Sequence, residues 1–143
     1  MFATARTLCL TLALATALVP AATPVSPARA EAARDGVDVV GSVVSLAPLH
    51  ISVVRDGKIR GILTLTPNLD VTDTALRDRV AREYPRLRDS YLRALDPYID
   101  RLDVRAAPDV VQMTRLLQRA TDGLYGDGTV TVMIIHATLR RLG

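Results

Sequence analysis

The stretch LRDRVAREYPRLRDSYLRAL, residues 76–95, decides the fold because its apolar residues recur at helical spacing. At about 100° per residue these apolar side chains fall within one stripe roughly 100° wide. The stripe consists of Leu76, Val80, Tyr84, Leu87, Tyr91, Ala94 and Leu95. The pattern predicts an amphipathic helix whose apolar face packs against the rest of the protein.

Pro85 lies inside this predicted helix. A proline there lacks an N–H and clashes with the carbonyl four residues earlier, at a cost of about 3 kcal/mol. Because Pro85 falls on the polar side, where water can satisfy the freed carbonyl, we expect a kinked helix, with a broken helix as the alternative. Thr72 or Asp73 is the favoured N-cap, and Asp96-Pro97 is expected to end the helix or restart it.

The segment before the helix, residues 37–69, is rich in β-branched residues and predicts strands, with Pro48 at a bend or an edge. For the hairpin we predict a three-residue loop, Arg55-Asp56-Gly57, followed by a bulge. This loop pairs Leu49 with Leu63 and collects most large apolar residues on one face, whereas a two-residue loop mixes polar and apolar residues on both faces.

The C-terminal part of the chain predicts a second helix over residues 108–121 and a strand over residues 129–139. The apolar stripe of this helix is predicted to contain Val110, Met113, Leu116 and Leu117. The run Val132-Met133-Ile134-Ile135 is apolar at consecutive positions, so apolar side chains would point to both faces of the sheet. This predicts an inner strand covered on both faces. The element order indicates a small α+β fold, an antiparallel-rich sheet packed by two helices.

The N-terminus has the features of a secretory signal peptide. An apolar run over residues 8–19 is followed by prolines and by Ala28-Arg29-Ala30, an Ala-x-Ala cleavage pattern. As a helix that run spans about 18 Å, against roughly 30 Å for a bilayer core. We therefore predict a signal peptide over residues 1–30, a leader over 31–42, a domain over 43–143 and a periplasmic location. An uncleaved inner-membrane anchor is the alternative.

Charge and cysteine content exclude several functions. Arg6 and Arg29 leave with the signal peptide, so the formal net charge of +3 falls to +1. A near-neutral domain lacks the concentrated basic surface that nucleic-acid binding needs. The only cysteine, Cys9, lies in the signal segment, so a cleaved protein has neither disulfide nor thiol chemistry.

The sequence offers little for catalysis or metal binding. The only histidines, His50 and His136, each lie in a predicted strand with apolar neighbours. A nucleophilic site needs a base beside a nucleophile, and a metal site needs several ligands at suitable spacing. We therefore predict a protein without enzymatic activity, cofactor or metal.

Four arginines form a ridge on the polar side of the first predicted helix, and we name them the arginine surface. They are Arg79, Arg82, Arg86 and Arg93. Guanidinium groups suit docking to an acidic protein or to lipid headgroups. The alternative is an ordinary solvated face with the ion pairs Asp78–Arg82 and Asp89–Arg93, each worth about 0.2–0.5 kcal/mol.

Several segments of the sequence together resemble the flagellar basal-body-associated FliL family. They are VSLAPLHISVVRDGKIRGILTLTPNLD for the strands, REYPRLRDSYLRAL for the helix, with Pro85 and the pair Arg88-Asp89, and VTVMIIHATL for the closing strand. The resemblance implies a non-enzymatic periplasmic domain with a stomatin-like fold that contacts a flagellar stator or another envelope protein and forms homo-oligomers. Family members usually keep a transmembrane anchor, whereas this chain is predicted to have a cleavable signal. The alternative is a stand-alone periplasmic module that binds a small ligand or lipid.

Overall fold

The computed structural model describes residues 36–142. Five strands and three helices follow one another in this range. They are β1 (Val37–Val40), β2 (Val43–Leu46), β3 (Leu49–Arg55), β4 (Lys58–Asp70), α1 (Thr74–Arg82), α2 (Tyr84–Ile99), α3 (Val110–Tyr125) and β5 (Thr131–Arg141). The predicted signal peptide lies outside the described residues. Strand β1 begins at Val37, where the β-branched segment predicts strands, and it lies within the range 31–42 assigned to the leader.

Strand β4 is the centre of an antiparallel sheet. Strand β5 pairs along one side of it, while β2 and β3 follow one another along the other side, and β1 pairs with β2. Pro48 lies between β2 and β3, at the predicted bend. Along β4 buried residues alternate with half-buried ones, as expected of a strand with one face on the core. The helices cover that face, and the predicted α+β class is confirmed.

The hairpin between β3 and β4 differs from the predicted one. Asp56 and Gly57 both have positive φ, 51° and 69°, and Arg55 pairs with Lys58. This is a two-residue turn of the kind that Asp-Gly favours, because its twist matches that of the strands. The predicted three-residue loop is therefore wrong. The extra residue is instead Arg60, which forms a bulge inside β4.

That bulge places the large apolar residues of β3 and β4 on one face, as the longer loop was expected to do, but the predicted pairing of Leu49 with Leu63 is wrong. Beyond it Leu49 pairs with Leu65 and Ile51 with Leu63. These large apolar residues share the face that packs on the helices, as predicted. One extra residue in the strand turns the side chains beyond it to the opposite face of the sheet. One extra residue in the loop would do the same, because side chains alternate between the two faces.

The prediction that the last strand is an inner one is wrong. Strand β5 pairs only with β4 among the described residues, and Met133 and Ile135 are 39% and 63% exposed. Its pairing with β4 shifts between Thr66 and Pro67, which leaves Ile135 as an extra residue. A bulge of this kind interrupts the alternation of side chains, so the mixed-parity apolar run does not indicate burial on both faces.

The first predicted helix is divided in two by a break at Glu83, so the broken helix rather than the kink is observed. The Asp73 side chain accepts a hydrogen bond of 2.6 Å from the Leu76 N–H and is the N-cap. Helix α2 does not end at Asp96-Pro97 but continues to Ile99. Pro97 is exposed, so water can satisfy the carbonyl that it leaves free.

The core lies between the sheet and the apolar faces of the three helices. Of the predicted stripe, Leu76 and Ala94 are half-buried and the other members are buried. In α3 Met113 and Leu117 are fully buried and Leu116 is half-buried, whereas Val110 is 40% exposed and does not belong to the stripe.

Candidate functional site

Three residues of the arginine surface, Arg79, Arg82 and Arg86, lie around the junction of α1 and α2, and Arg93 lies further along α2. Glu83, with φ −91° and ψ 10°, ends α1, and Pro85 lies in the first turn of α2. The Glu83 N–H still donates to the Arg79 carbonyl over 2.9 Å, and the Leu87 N–H donates to the Glu83 carbonyl over 3.1 Å. Proline tolerates the first turn of a helix because no N–H is needed there. The break is therefore limited to Glu83, and Arg79, Arg82 and Arg86 lie close to it in the chain.

Two of the three tyrosines that are spaced by seven residues along α2 form hydrogen bonds to α3 or to its N-cap. The Tyr98 hydroxyl accepts a hydrogen bond of 2.7 Å from the Asp109 N–H. The Tyr91 hydroxyl lies 2.8 Å from the Thr121 hydroxyl. The third, Tyr84, is buried with its hydroxyl unpaired among the described residues. This seam fixes the direction of α2 and hence of the arginines on its outer side.

The geometry assigns the donor in the central pair. The Thr121 hydroxyl donates to the Leu117 carbonyl over 2.9 Å, so its oxygen accepts from Tyr91. Burial raises the pKa of the Tyr91 phenol. The phenol therefore stays protonated and remains a donor.

We expect Tyr91→Phe to lower the free energy of unfolding by about 1–2 kcal/mol, because the buried Thr121 oxygen loses its donor. Tyr84→Phe is the matched control, since it removes a hydroxyl without a partner, and it should be neutral or slightly stabilising. Urea unfolding followed by circular dichroism measures both. Equal losses in the two variants would contradict the assignment of the hydrogen bond.

All four residues of the arginine surface are exposed, but they differ in their partners. Arg79 forms an ion pair of 3.0 Å with Glu83, and Arg93 pairs with Asp89. Neither Arg82 nor Arg86 forms an ion pair among residues 36–142. The predicted pair Asp89–Arg93 is thus observed, and the predicted pair Asp78–Arg82 is not.

Tyr125, at the end of α3, joins the arginine surface. The Arg79 guanidinium carbon lies 5.6 Å from the centroid of its ring, a distance suited to a cation–π contact. Burial raises the pKa of Tyr125 and the charge of Glu83 raises it further, whereas Arg79 and Arg86 lower it. The tertiary structure therefore brings Arg79, Glu83, Arg86 and Tyr125 together. The sequence pattern placed the arginines but missed Tyr125, which is distant in the chain.

A second concave region lies at the opposite end of α2. It is a cavity of about 380 Å³ between the end of α2 and the start of α3. Its lining includes the charged residues Arg101, Asp103, Asp109 and Arg119. Small-molecule sites are mostly apolar and enclosed, so this cavity gives little support to a ligand-binding module.

The two histidines lie on the sheet face that the helices leave uncovered. His50 pairs with Thr64 across β3 and β4, with 3.1 Å between its Nδ1 and the threonine hydroxyl. His136 pairs with Thr66 across β4 and β5. Among residues 36–142 no three His, Cys, Asp or Glu side chains lie close enough to hold a metal ion.

Comparisons of the chain with protein-family models, with curated proteins and with solved structures give no match. The resemblance to the FliL family therefore stays a prediction. In the described part of the chain, none of the helices has the length and apolar character needed to cross a membrane.

Proposed function

We propose that this protein is a non-enzymatic accessory protein of the periplasm that docks onto an acidic protein through its arginine surface. The observation that carries the proposal is the pair Arg82 and Arg86. Both are exposed, they lie about one helical turn apart, and no acidic side chain neutralises either of them within residues 36–142. Like charges at this spacing are unfavourable in isolation, and an acidic partner would relieve the repulsion.

The chemistry of the surface favours a protein over a membrane. Helices that lie in a lipid interface insert an apolar face, but the apolar faces of α1 and α2 are buried in the core. The large exposed apolar side chains lie elsewhere, on the sheet and at the start of α3. Guanidinium groups recognise carboxylates with two parallel hydrogen bonds, so an acidic protein surface is the fitting partner.

The resemblance to the FliL family extends the proposal to the partner's identity. It points to the flagellar basal body, with a stator protein as the molecule contacted. Pro85, one of the residues that carry the resemblance, lies in the first turn of α2 between Arg82 and Arg86. The flagellar assignment and the docking chemistry are separable, because another acidic envelope protein would satisfy the same surface.

A photo-crosslinking residue at position 82, introduced into the protein in its native cells, tests the docking proposal. We expect a crosslink to one protein with an acidic surface, identified by mass spectrometry, and no such crosslink from position 101. Arg101 is also an exposed arginine but lies by the cavity at the far end of α2. Equal products from both positions, or none from position 82, would count against docking.

The identity of the captured protein and the motility of a deletion strain separate the flagellar assignment from docking in general. Capture of a stator protein together with reduced swimming would support a role at the flagellar motor. Capture of another envelope protein with normal swimming would support the docking proposal and contradict the flagellar assignment.

A further inference from the structure

Glu83, the residue at which the first helix breaks, has arginines on both sides of it in the chain. Arg79 precedes it by four residues and Arg82 by one, and Arg86 follows it by three. The carboxylate of Glu83 therefore lies in the chain between Arg82 and Arg86, the two arginines that carry the docking proposal.

Tyr125 shows that several of these charges lie close together in space. The Arg79 guanidinium is 5.6 Å from the centre of its ring, and Arg79 lies 3.0 Å from Glu83. Burial raises the pKa of Tyr125 and the charge of Glu83 raises it further, whereas Arg79 and Arg86 lower it. Charges shift the pKa of a neighbour mainly at short range, so these three charges lie near the same tyrosine.

The pair of Arg79 and Glu83 is held in the protein but can be exchanged. The Glu83 side chain is 31% exposed, against 56% for Asp89 in the other ion pair, so water screens its charge less. The contact is a single hydrogen bond from Arg79 Nε to one carboxylate oxygen. The strongest pairs of guanidinium and carboxylate form two parallel bonds, so an incoming carboxylate can replace this one.

We propose that Glu83 occupies, in the free protein, the place that a carboxylate of the acidic partner takes on docking. The inference rests on the proposed function and makes Glu83 an autoinhibitory contact within the arginine surface. The partner's carboxylate replaces Glu83 on Arg79 and also meets the charges of Arg82 and Arg86. Like charges close together are unfavourable at an interface, so a partner needs several carboxylates to overcome Glu83. Glu83 thereby selects strongly acidic partners over weakly acidic ones.

Binding of a fluorescein-labelled peptide of ten glutamates to the purified protein tests this inference, measured by fluorescence anisotropy at about 20 mM salt. Glu83→Gln keeps the size of the side chain and removes its charge, and it should bind the peptide at least about threefold more tightly than wild type. Asp100→Asn is the matched control, because it makes the same charge change at an exposed site at the far end of α2. It should stay within about 1.5-fold of wild type.

A second variant covers the case in which an amide oxygen at this position still accepts a hydrogen bond from Arg79. Glu83→Ala empties the place, and it should bind at least as tightly as Glu83→Gln. Circular dichroism checks that each variant is folded. Wild-type affinity in both Glu83 variants, or an equal gain in Asp100→Asn, would overturn the inference and leave docking intact.

Arg86→Glu separates the inference from the docking proposal on which it rests. This variant should bind the peptide at least about tenfold more weakly than wild type, because it reverses a charge of the docking surface. An unchanged affinity in Arg86→Glu would overturn docking itself, and the inference with it. Absence of peptide binding by wild type and by both Glu83 variants would also overturn both.

Discussion

Replacing Leu87 with alanine is expected to lower the free energy of unfolding by about 2–5 kcal/mol. Leu87 is fully buried at the start of α2, just after the junction with α1. Its side chain fills core volume that the sheet and α3 cannot refill, so the substitution leaves a cavity in addition to the lost transfer energy. A small domain has only about 5–15 kcal/mol of stability in total, and the variant should unfold at much lower urea concentration.

Leu92→Ala in the same helix is the matched control for this substitution. Leu92 is only half-buried, and both changes have the same effect on helix propensity. We expect its loss to be well below half of that at Leu87, measured by urea unfolding with circular dichroism. Similar losses at the two positions would contradict the burial of the stripe that organises the fold.

Arg55→Met is expected to lower the free energy of unfolding by about 2 kcal/mol, although Arg55 lies beside an exposed turn. Its guanidinium donates to the carbonyl of Ile99 over 2.6 Å and to that of Leu102 over 3.2 Å. These groups lie at the end of α2, where carbonyls lack partners within the helix and a positive charge is favourable. The substitution keeps the apolar stem and removes these bonds.

Lys58→Met is the control for Arg55, because Lys58 faces Arg55 across the same turn and is exposed. Its substitution should change stability by less than about 0.5 kcal/mol. Thermal unfolding of both variants provides the comparison. If Arg55→Met were as harmless as Lys58→Met, the arginine would not hold the hairpin onto α2.

The sequence predicted the features that depend on local spacing and composition alone. The stripe of α1 and α2, the Asp73 cap and the α+β class all follow from local spacing and composition. The expected kink at Pro85 is wrong and the alternative, a broken helix, is observed, because the outcome depends on tertiary packing as well as on the proline. Burial of Tyr84 directly after the break holds the two helices in place.

The bulges and the long-range contacts could not be predicted from local patterns. The bulge at Arg60 lies in a strand that pairs on both sides, so its position depends on both neighbouring strands at once. The bulge at Ile135 allows apolar residues at consecutive positions of an edge strand, and this pattern predicted an inner strand. Arg77, which donates to the carbonyl of Gly41, and Arg55 contact residues 36 and 44 positions away, beyond the reach of any periodicity.

For the arginine surface, the sequence predicted the positions of the charges but not all of their pairing. Glu83 pairs with Arg79, four residues before it, at the point where the helix breaks. This leaves Arg82, the last residue of α1, without a partner among the described residues. Tyr125 reaches the surface only through the antiparallel packing of α3 on α2, which no local pattern indicates.

The most direct test of the docking claim is the yield of the crosslink from position 82 when Arg86 is changed to glutamate. The change places a negative charge about one helical turn from the crosslinking residue while leaving the buried stripe intact. We predict at least a tenfold loss of the crosslinked product, with Arg119→Glu giving the unaltered yield. An undiminished crosslink in the Arg86→Glu variant would contradict docking through the arginine surface.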